Sequence, residues 1–205
     1  MLGPIMIQGS FYQVKVYKRL LLSVLLAAAG TLGTMILFFV ENGEFGGTSF
    51  FGAVFFVPVL FVPITYLLKI SYDSLMDLCA PAECAMLVVM KLQCFLTGCC
   101  GGVSLSLLGS EFVFPSQLAE LFTALFLCVS LLVLSRDKKC RGKIYPLYMV
   151  FYGVTRFILN VFRKTNIVEY LHMPFGNFWS LLAIFFGVLW LILIKNMRLK
   201  YGSAE

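Results

Sequence analysis

The sequence predicts an all-α, polytopic membrane helical bundle of about six transmembrane helices, with both termini in the cytoplasm. Three observations predict this fold class. The 205-residue chain is 60% hydrophobic, its mean hydropathy is +0.94, and only 13% of its residues are charged, whereas charged residues make up about 25% of soluble domains. Its apolar residues fall into runs close to the roughly 20 residues that a helix needs to cross a bilayer. Lys and Arg cluster on alternate sides of these runs.

Six apolar runs are predicted as membrane spans within a single integral-membrane domain, 1–205. Pro58 and Pro63 predict a kink in the second span, and Lys91 interrupts the third. No internal repeat or long linker divides the chain. The predicted spans are Leu20–Val40, Phe50–Leu68, Pro81–Leu96, Ser116–Leu134, Ile144–Phe162 and Asn177–Ile194.

The positions of the basic residues predict the orientation of the spans. Basic residues precede the first span and follow the second, fourth and sixth, which are alternate sides of a six-span path. The positive-inside rule then places both termini in the cytoplasm. The segment from Lys15 to Ala29 also resembles a secretory signal peptide, with basic residues, an apolar run and a small-residue cleavage site. The apolar run continues to Val40, which is too long for a signal peptide, so we expect no cleavage.

The fifth predicted span carries a polar stripe. Tyr152, Arg156, Asn160 and Arg163 recur at helical spacing and share one face. A charged side chain near the bilayer centre costs about 2.5 to 3.5 kcal/mol on insertion scales, so Arg156 needs a compensating partner. The opposite face should contact lipid and carries Val150, Val154, Phe157, Ile158 and Val161.

Four ionisable side chains are predicted to lie at a similar depth in the outer half of the membrane. At the helical rise, Arg156 lies about 18 Å and Lys91 about 15 Å beyond the inner ends of their spans. Glu120 lies about one turn below the outer end of the fourth span, and Arg163 near the outer end of the fifth. Each would be costly facing lipid, which indicates a shared cavity. Two alternatives remain: Glu120 pairs with Arg156 or Lys91 only to hold the bundle together, or Lys91 snorkels to the interface.

Several functional classes lack support in this sequence. We find no nucleic-acid-binding motif, G-x-S-x-G elbow, H-E-x-x-H motif or P-loop. The seven cysteines lack paired zinc spacing and predict neither a metal site nor a disulfide framework. His172, in the last outer loop, is expected to be a surface residue. We therefore expect no metal, no cofactor and no nucleic-acid partner. The predicted cavity with Lys91, Glu120, Arg156 and Arg163 is cationic and suits an anionic lipid headgroup. An arginine can hold the phosphate of such a headgroup through two parallel hydrogen bonds.

Five ordered motifs lie between about Gly30 and Ile194. They are Gly46-Gly47-Thr48-Ser49-Phe50-Phe51-Gly52, Asp77-Leu78-Cys79-Ala80-Pro81, Cys94-Phe95-Leu96-Thr97-Gly98-Cys99-Cys100-Gly101-Gly102, Pro115-Ser116-Gln117-Leu118-Ala119-Glu120 and Tyr152-Gly153-x-x-Arg156-Phe157-x-x-x-x-Phe162-Arg163. The glycines of the third motif predict a tight re-entrant turn after the third span. In order and spacing, the five motifs resemble the prolipoprotein diacylglyceryl transferase family.

The resemblance implies an enzyme of the bacterial plasma membrane with its site toward the outer leaflet. Such enzymes transfer a diacylglyceryl group from phosphatidylglycerol to the lipobox cysteine thiol of an exported prolipoprotein, so the substrates supply the nucleophile. The implied catalytic residues are Arg156, Lys91, Tyr152 and Glu120. The implied phospholipid headgroup-binding residues are Arg156, Arg163, Asn160, Gly98 and Gly52.

This sequence also departs from the family pattern. Phe51 replaces a histidine or tyrosine, Lys91 an arginine, Ala119 a tyrosine and Asn160 a glutamate. We expect the family's first span to have no counterpart here, which would reduce the family's seven spans to six. The alternative function is therefore a non-catalytic relative that binds an anionic phospholipid or a lipidated peptide as an accessory membrane protein. A transporter or a purely structural bundle remains a third possibility.

Overall fold

A computed structural model describes residues 2–98, 104–107, 110–113, 115–162 and 174–202, with side chains described for 2–98, 115–162 and 174–197. These residues form a helical protein with one short antiparallel hairpin, β1–β2. A 3₁₀ turn at Lys138–Cys140 precedes the sixth helix. The elements are α1 Leu2–Phe11, α2 Val16–Asn42, α3 Phe51–Leu68, α4 Tyr72–Thr97, β1 Ser104–Leu107, β2 Ser110–Val113, α5 Ser116–Leu134, α6 Ile144–Asn160 and α7 Phe175–Gly202.

Each of the six predicted spans coincides with a helix, although several bounds differ. The largest difference is in α4, which begins at Tyr72, nine residues before the predicted start. Among the described residues, four helices are long and apolar enough to cross a membrane: Val16–Asn42, Phe51–Leu68, Ser116–Leu134 and Phe175–Met197. Large apolar side chains are exposed on them, including Phe126 on α5 and Phe185 on α7. The chain is therefore a multi-pass membrane protein.

Two glycines bring α2 and α3 into close contact. Gly33 and Gly52 face each other so closely that a Cβ on Gly52 would overlap the Gly33 carbonyl. Without side chains at these positions the two backbones can approach, as small residues allow in membrane helices. Gly30, one turn earlier on α2, has ordinary room: a Cβ there would lie 3.7 Å from the Met86 sulfur.

A buried carboxylate ties α4 to two other segments, an arrangement that we call the Asp77 clasp. Asp77 accepts hydrogen bonds from the Tyr12 hydroxyl (2.8 Å) and from the backbone N–H groups of Gly142 (2.5 Å) and Ile144 (3.0 Å). Ile144 is the first residue of α6, whose initial N–H groups have no partner within their own helix. Asp77 thus caps α6 from a neighbouring helix and holds α1 beside α4.

The helix α6 divides its faces as the sequence predicts. Tyr152 and Asn160 are buried, whereas Val154, Phe157, Ile158 and Val161 are exposed. One residue of the predicted lipid face differs, because Val150 is half-buried against Gly187 of α7. The interior face of α6 therefore carries the polar stripe into the bundle.

Candidate functional site

The centre of the candidate site is Glu120, which forms ion pairs with two cations from neighbouring helices. Its carboxylate contacts Lys91 of α4 through one oxygen and Arg156 of α6 through the other. The three side chains are largely shielded, with 11% of Lys91, 6% of Glu120 and 13% of Arg156 exposed. Pairing lowers the cost of keeping charges inside an apolar bundle, and it leaves this group with one excess positive charge.

A small, partly open pocket lies beside this ion-pair group. Three helices build it, because Lys91 lies in the C-terminal part of α4, Glu120 in the second turn of α5, and Tyr152 and Arg156 one turn apart on α6. The remaining walls are mainly apolar. The lining residues are Leu87, Lys91, Glu120, Thr123, Ala124, Leu127, Tyr152, Thr155, Arg156 and Leu159.

Two threonines in this pocket were missed by the sequence analysis. Thr123 and Thr155 donate their hydroxyl hydrogens to the carbonyls of Ala119 and Tyr152 in their own helices. Their oxygens can therefore act only as acceptors toward a ligand. Helical spacing could have found both, since Thr123 lies three residues after Glu120 and Thr155 lies three residues after Tyr152.

Phe51 lies against the pocket tyrosine. It is buried (3% exposed), and its ring centroid is 5.1 Å from that of Tyr152, while the Phe50 ring lies 5.4 Å from the same tyrosine. These rings restrict the orientation of Tyr152. Phe51 itself contributes no group that can accept or donate a proton at neutral pH.

The other predicted site residues lie elsewhere or outside the described residues. Asn160 is buried and donates to the Asn177 side chain of α7 at 2.9 Å. Gly52 packs against Gly33, and Gly98 ends α4 in the left-handed conformation that glycine favours. None of these three lines the described pocket, and their contact with a headgroup stays a prediction. Arg163, His172, Cys99, Cys100 and the predicted re-entrant turn at Gly98–Gly102 fall wholly or partly outside the described residues.

The arrangement has the charge and the hydrogen-bond donors to bind an anion. An arginine has five N–H donors and a lysine three, so a single carboxylate cannot use all of them. A phosphate oxygen entering the pocket could share these donors with Glu120. Within the part of the chain that the structure describes, no group of three or more His, Cys, Asp or Glu side chains could hold a metal ion.

Comparison with known proteins assigns the chain to a family. A family model described as prolipoprotein diacylglyceryl transferase matches residues 9–193. The chain belongs to the prolipoprotein diacylglyceryl transferase family. This result confirms the resemblance drawn from the five motifs. Membership supports a transferase of this general kind, with a role in lipoprotein biosynthesis.

One curated relative of this diacylglyceryl transferase family is a Clostridium tetani protein named phosphatidylglycerol–prolipoprotein diacylglyceryl transferase. It is 28% identical over 138 residues, which cover 60% of this chain and 55% of the relative. The match thus spans about half the length of the relative, and the activity named for that protein enters here only as a proposal.

Proposed function

We propose that the chain transfers a diacylglyceryl group from phosphatidylglycerol to the lipobox cysteine thiol of an exported prolipoprotein. The observation that carries this proposal is the pocket in which Lys91 and Arg156, held by Glu120, face a tyrosine. In the reaction the cysteine sulfur forms a bond to the glyceryl carbon that carried the phosphate. The bond from that carbon to the phosphate oxygen breaks, glycerol phosphate leaves with the electron pair, and the thiol proton passes to the departing phosphate or to water.

The pocket residues would act mainly through electrostatics. Arg156 binds the phosphate and stabilises the charge that develops on the leaving group, and Lys91 assists as a point charge. Glu120 orients both cations, and the Tyr152 hydroxyl donates to the headgroup. Arg163, one turn beyond Asn160 in the sequence, would supply a further cation. The chain needs no nucleophile of its own, because the acceptor cysteine provides it.

The proposed topology has six membrane spans in the bacterial plasma membrane. In this topology α4 and α6 cross the membrane together with the four apolar helices, and both termini lie in the cytoplasm. The alternation of basic loops supports this orientation. It directs the outer part of α4, which carries Lys91, and the start of α5, which carries Glu120, toward the outer leaflet. An exported prolipoprotein would meet the site there.

The decisive experiment is to express the chain in cells depleted of their own transferase. We expect mass spectrometry to detect a diacylglyceryl-modified lipobox cysteine. Arg156→Ala should lower the rate at least about tenfold, since charge-assisted hydrogen bonds contribute about 1.5 to 3 kcal/mol. Arg136→Ala is the matched control, because Arg136 lies over the Phe11 ring, away from the pocket. Absence of modified product from correctly inserted protein, or full activity of Arg156→Ala, would contradict the proposal.

One observation favours a second candidate function. Phe51 occupies a position where the family usually has histidine or tyrosine, and it is buried against Tyr152. A non-catalytic relative that binds an anionic phospholipid or a lipidated peptide would tolerate this loss. Such a protein should be stabilised thermally by phosphatidylglycerol yet form no modified cysteine in the same cells. Product formation would exclude it.

A further inference from the structure

Glu83 is a buried acidic side chain that the proposed transfer does not use. It lies on α4, eight residues before Lys91 and therefore about 12 Å along the helix from that residue. It is completely buried. Its two carboxyl oxygens lie 3.1 Å and 3.4 Å from the hydroxyl oxygen of Tyr145 on α6. This contact joins the two helices that carry Lys91 and Arg156.

The Tyr145 hydroxyl has a second neighbour that can only accept. The carbonyl oxygen of Val54 on α3 lies 3.0 Å from it. In a regular helix this carbonyl would accept from the N–H four residues later, but that residue is Pro58, which has none. Tyr145 thus replaces the donor that Pro58 removes, and a buried carbonyl keeps its hydrogen bond.

The number of hydrogens available for these hydrogen bonds indicates the protonation state of Glu83. Tyrosine has a single hydroxyl hydrogen, and Val54 requires it. The contact between Tyr145 and Glu83 is satisfied only if Glu83 provides the second hydrogen. A protonated Glu83 donates to Tyr145, and Tyr145 donates to Val54, so that Glu83, Tyr145 and Val54 are all paired.

The surroundings also disfavour a charged Glu83. Neither ion pair among the described residues includes it, and an unpaired buried carboxylate is costly. The titratable groups around it are Tyr145 and Tyr148 from α6 and Cys79 and Cys84 from α4. None of these groups is positively charged, and hydrogen bonds from the two tyrosine hydroxyls would offset only part of the cost of burying a negative charge.

We propose that Glu83 is a neutral carboxylic acid in the folded protein and a positioning residue for the pocket. Its hydrogen bond to Tyr145 fixes α6 against α4. Tyr145 and Arg156 are eleven residues apart, about three turns, and share one face of α6. Because Glu83 is neutral, it joins the helices without adding a negative charge that would compete with a phosphate for the cations. The assignment of a proton to Glu83 does not depend on the proposed function. Only the measurement of phospholipid binding rests on that function.

The test compares two substitutions. Glu83→Gln introduces an uncharged side chain of the same shape that keeps a hydrogen-bond donor, and Glu83→Leu removes the donor. Infrared difference spectra of the parent chain against Glu83→Gln should show the loss of a protonated carboxylic acid carbonyl band. Glu120→Gln, which alters an ion-paired carboxylate, should leave that band unchanged. A band that persists in Glu83→Gln, or a carboxylate signal lost in its place, would overturn the protonation assignment.

Stability and binding test the positioning role. Glu83→Gln should keep the parent unfolding temperature and bind phosphatidylglycerol within about twofold, whereas Glu83→Leu should unfold earlier and bind about fivefold more weakly, as expected for a lost buried hydrogen bond. Equal losses in both variants would overturn the proposal. If the parent fails to bind the phospholipid, the proposed function fails, while the infrared and unfolding results still decide the state and role of Glu83.

Discussion

Two buried carboxylates of this protein, Asp77 and Glu120, are satisfied in different ways. Asp77 accepts from a tyrosine hydroxyl and two backbone N–H groups, all neutral donors that belong to the protein. Glu120 pairs with Lys91 and Arg156, whose donors outnumber what one carboxylate can accept. Asp77 links α4 to Tyr12 and to the start of α6, whereas Glu120 lines a pocket. Lys and Arg each carry several N–H donors, so they can contact a second anion as well as the carboxylate. A hydroxyl or a backbone N–H has one hydrogen to donate, which the carboxylate already accepts.

Burial along α4 follows the same division. The residues from Leu75 to Cys84 are all buried, whereas Val89, Leu92 and Leu96 toward the other end are exposed. Asp77 and Glu83 belong to the closed part and Lys91 to the open part. The buried part of α4 holds neighbouring helices in place, and the more exposed part carries the Lys91 ammonium group that lines the pocket.

The largest expected effect is on stability at the Asp77 clasp. Asp77→Ala strands three donors, two of them at the start of α6, and should lower the free energy of unfolding by about 3 kcal/mol or more. Asp77→Asn keeps an acceptor oxygen and should lose less. Thermal unfolding in phospholipid-free micelles measures both.

The control for this prediction is Asp73→Ala on the same helix, since Asp73 is exposed. It should change the free energy of unfolding by less than about 0.5 kcal/mol. If Asp77→Ala unfolds at the temperature of the parent chain, the clasp does not hold these segments together.

A smaller effect on stability, together with a response to lipid, is expected at Glu120. Glu120→Gln leaves two shielded cations without their carboxylate and should cost about 1 to 3 kcal/mol. Phosphatidylglycerol should restore much of this loss, because its phosphate takes the place of the carboxylate. The measurement is the unfolding temperature with increasing phosphatidylglycerol.

Asp77→Ala serves as the comparison for the Glu120 response. The lipid should raise the unfolding temperature of Glu120→Gln more than that of the parent chain, and should not preferentially rescue Asp77→Ala. Equal shifts in all three proteins would show that the ion-pair group is not where the phosphate binds.

The sequence predicted where the helices lie better than where they begin. Apolar runs located a helix at each of the six predicted spans, and four helices among the described residues are long and apolar enough to cross a membrane. The start of α4 was missed since Asp73 and Asp77 resemble a polar connection until the partners of Asp77 are known. The helix α1 was missed because it is only ten residues long and contains Gly3, Pro4 and Gly9, all weak helix formers.

The site was predicted unevenly for a related reason. Helical periodicity placed Tyr152 and Arg156 on the interior face of α6, and depth placed Lys91 and Glu120 at the same level. Depth does not give the rotation of a helix, so the double pairing of Glu120 had to come from the structure. The position of Gly52 in the contact between α2 and α3 likewise depends on how two helices pack, which periodicity cannot supply.

The smallest expected effect tests whether the donor geometry of the two cations, and not their charge alone, sets the affinity of the ion-pair group for an anion. Lys91→Arg adds donors in a planar fork that can hold Glu120 and a phosphate together, so phosphatidylglycerol affinity should rise about two- to fivefold. Arg156→Lys is the matched reverse exchange and should lower the affinity by about the same factor, with the net charge unchanged in both. Titration of phosphatidylglycerol into the purified protein measures both variants. Because charge is constant, opposite shifts can arise only from donor number and geometry, whereas equal affinities would mean that positive charge alone holds the anion.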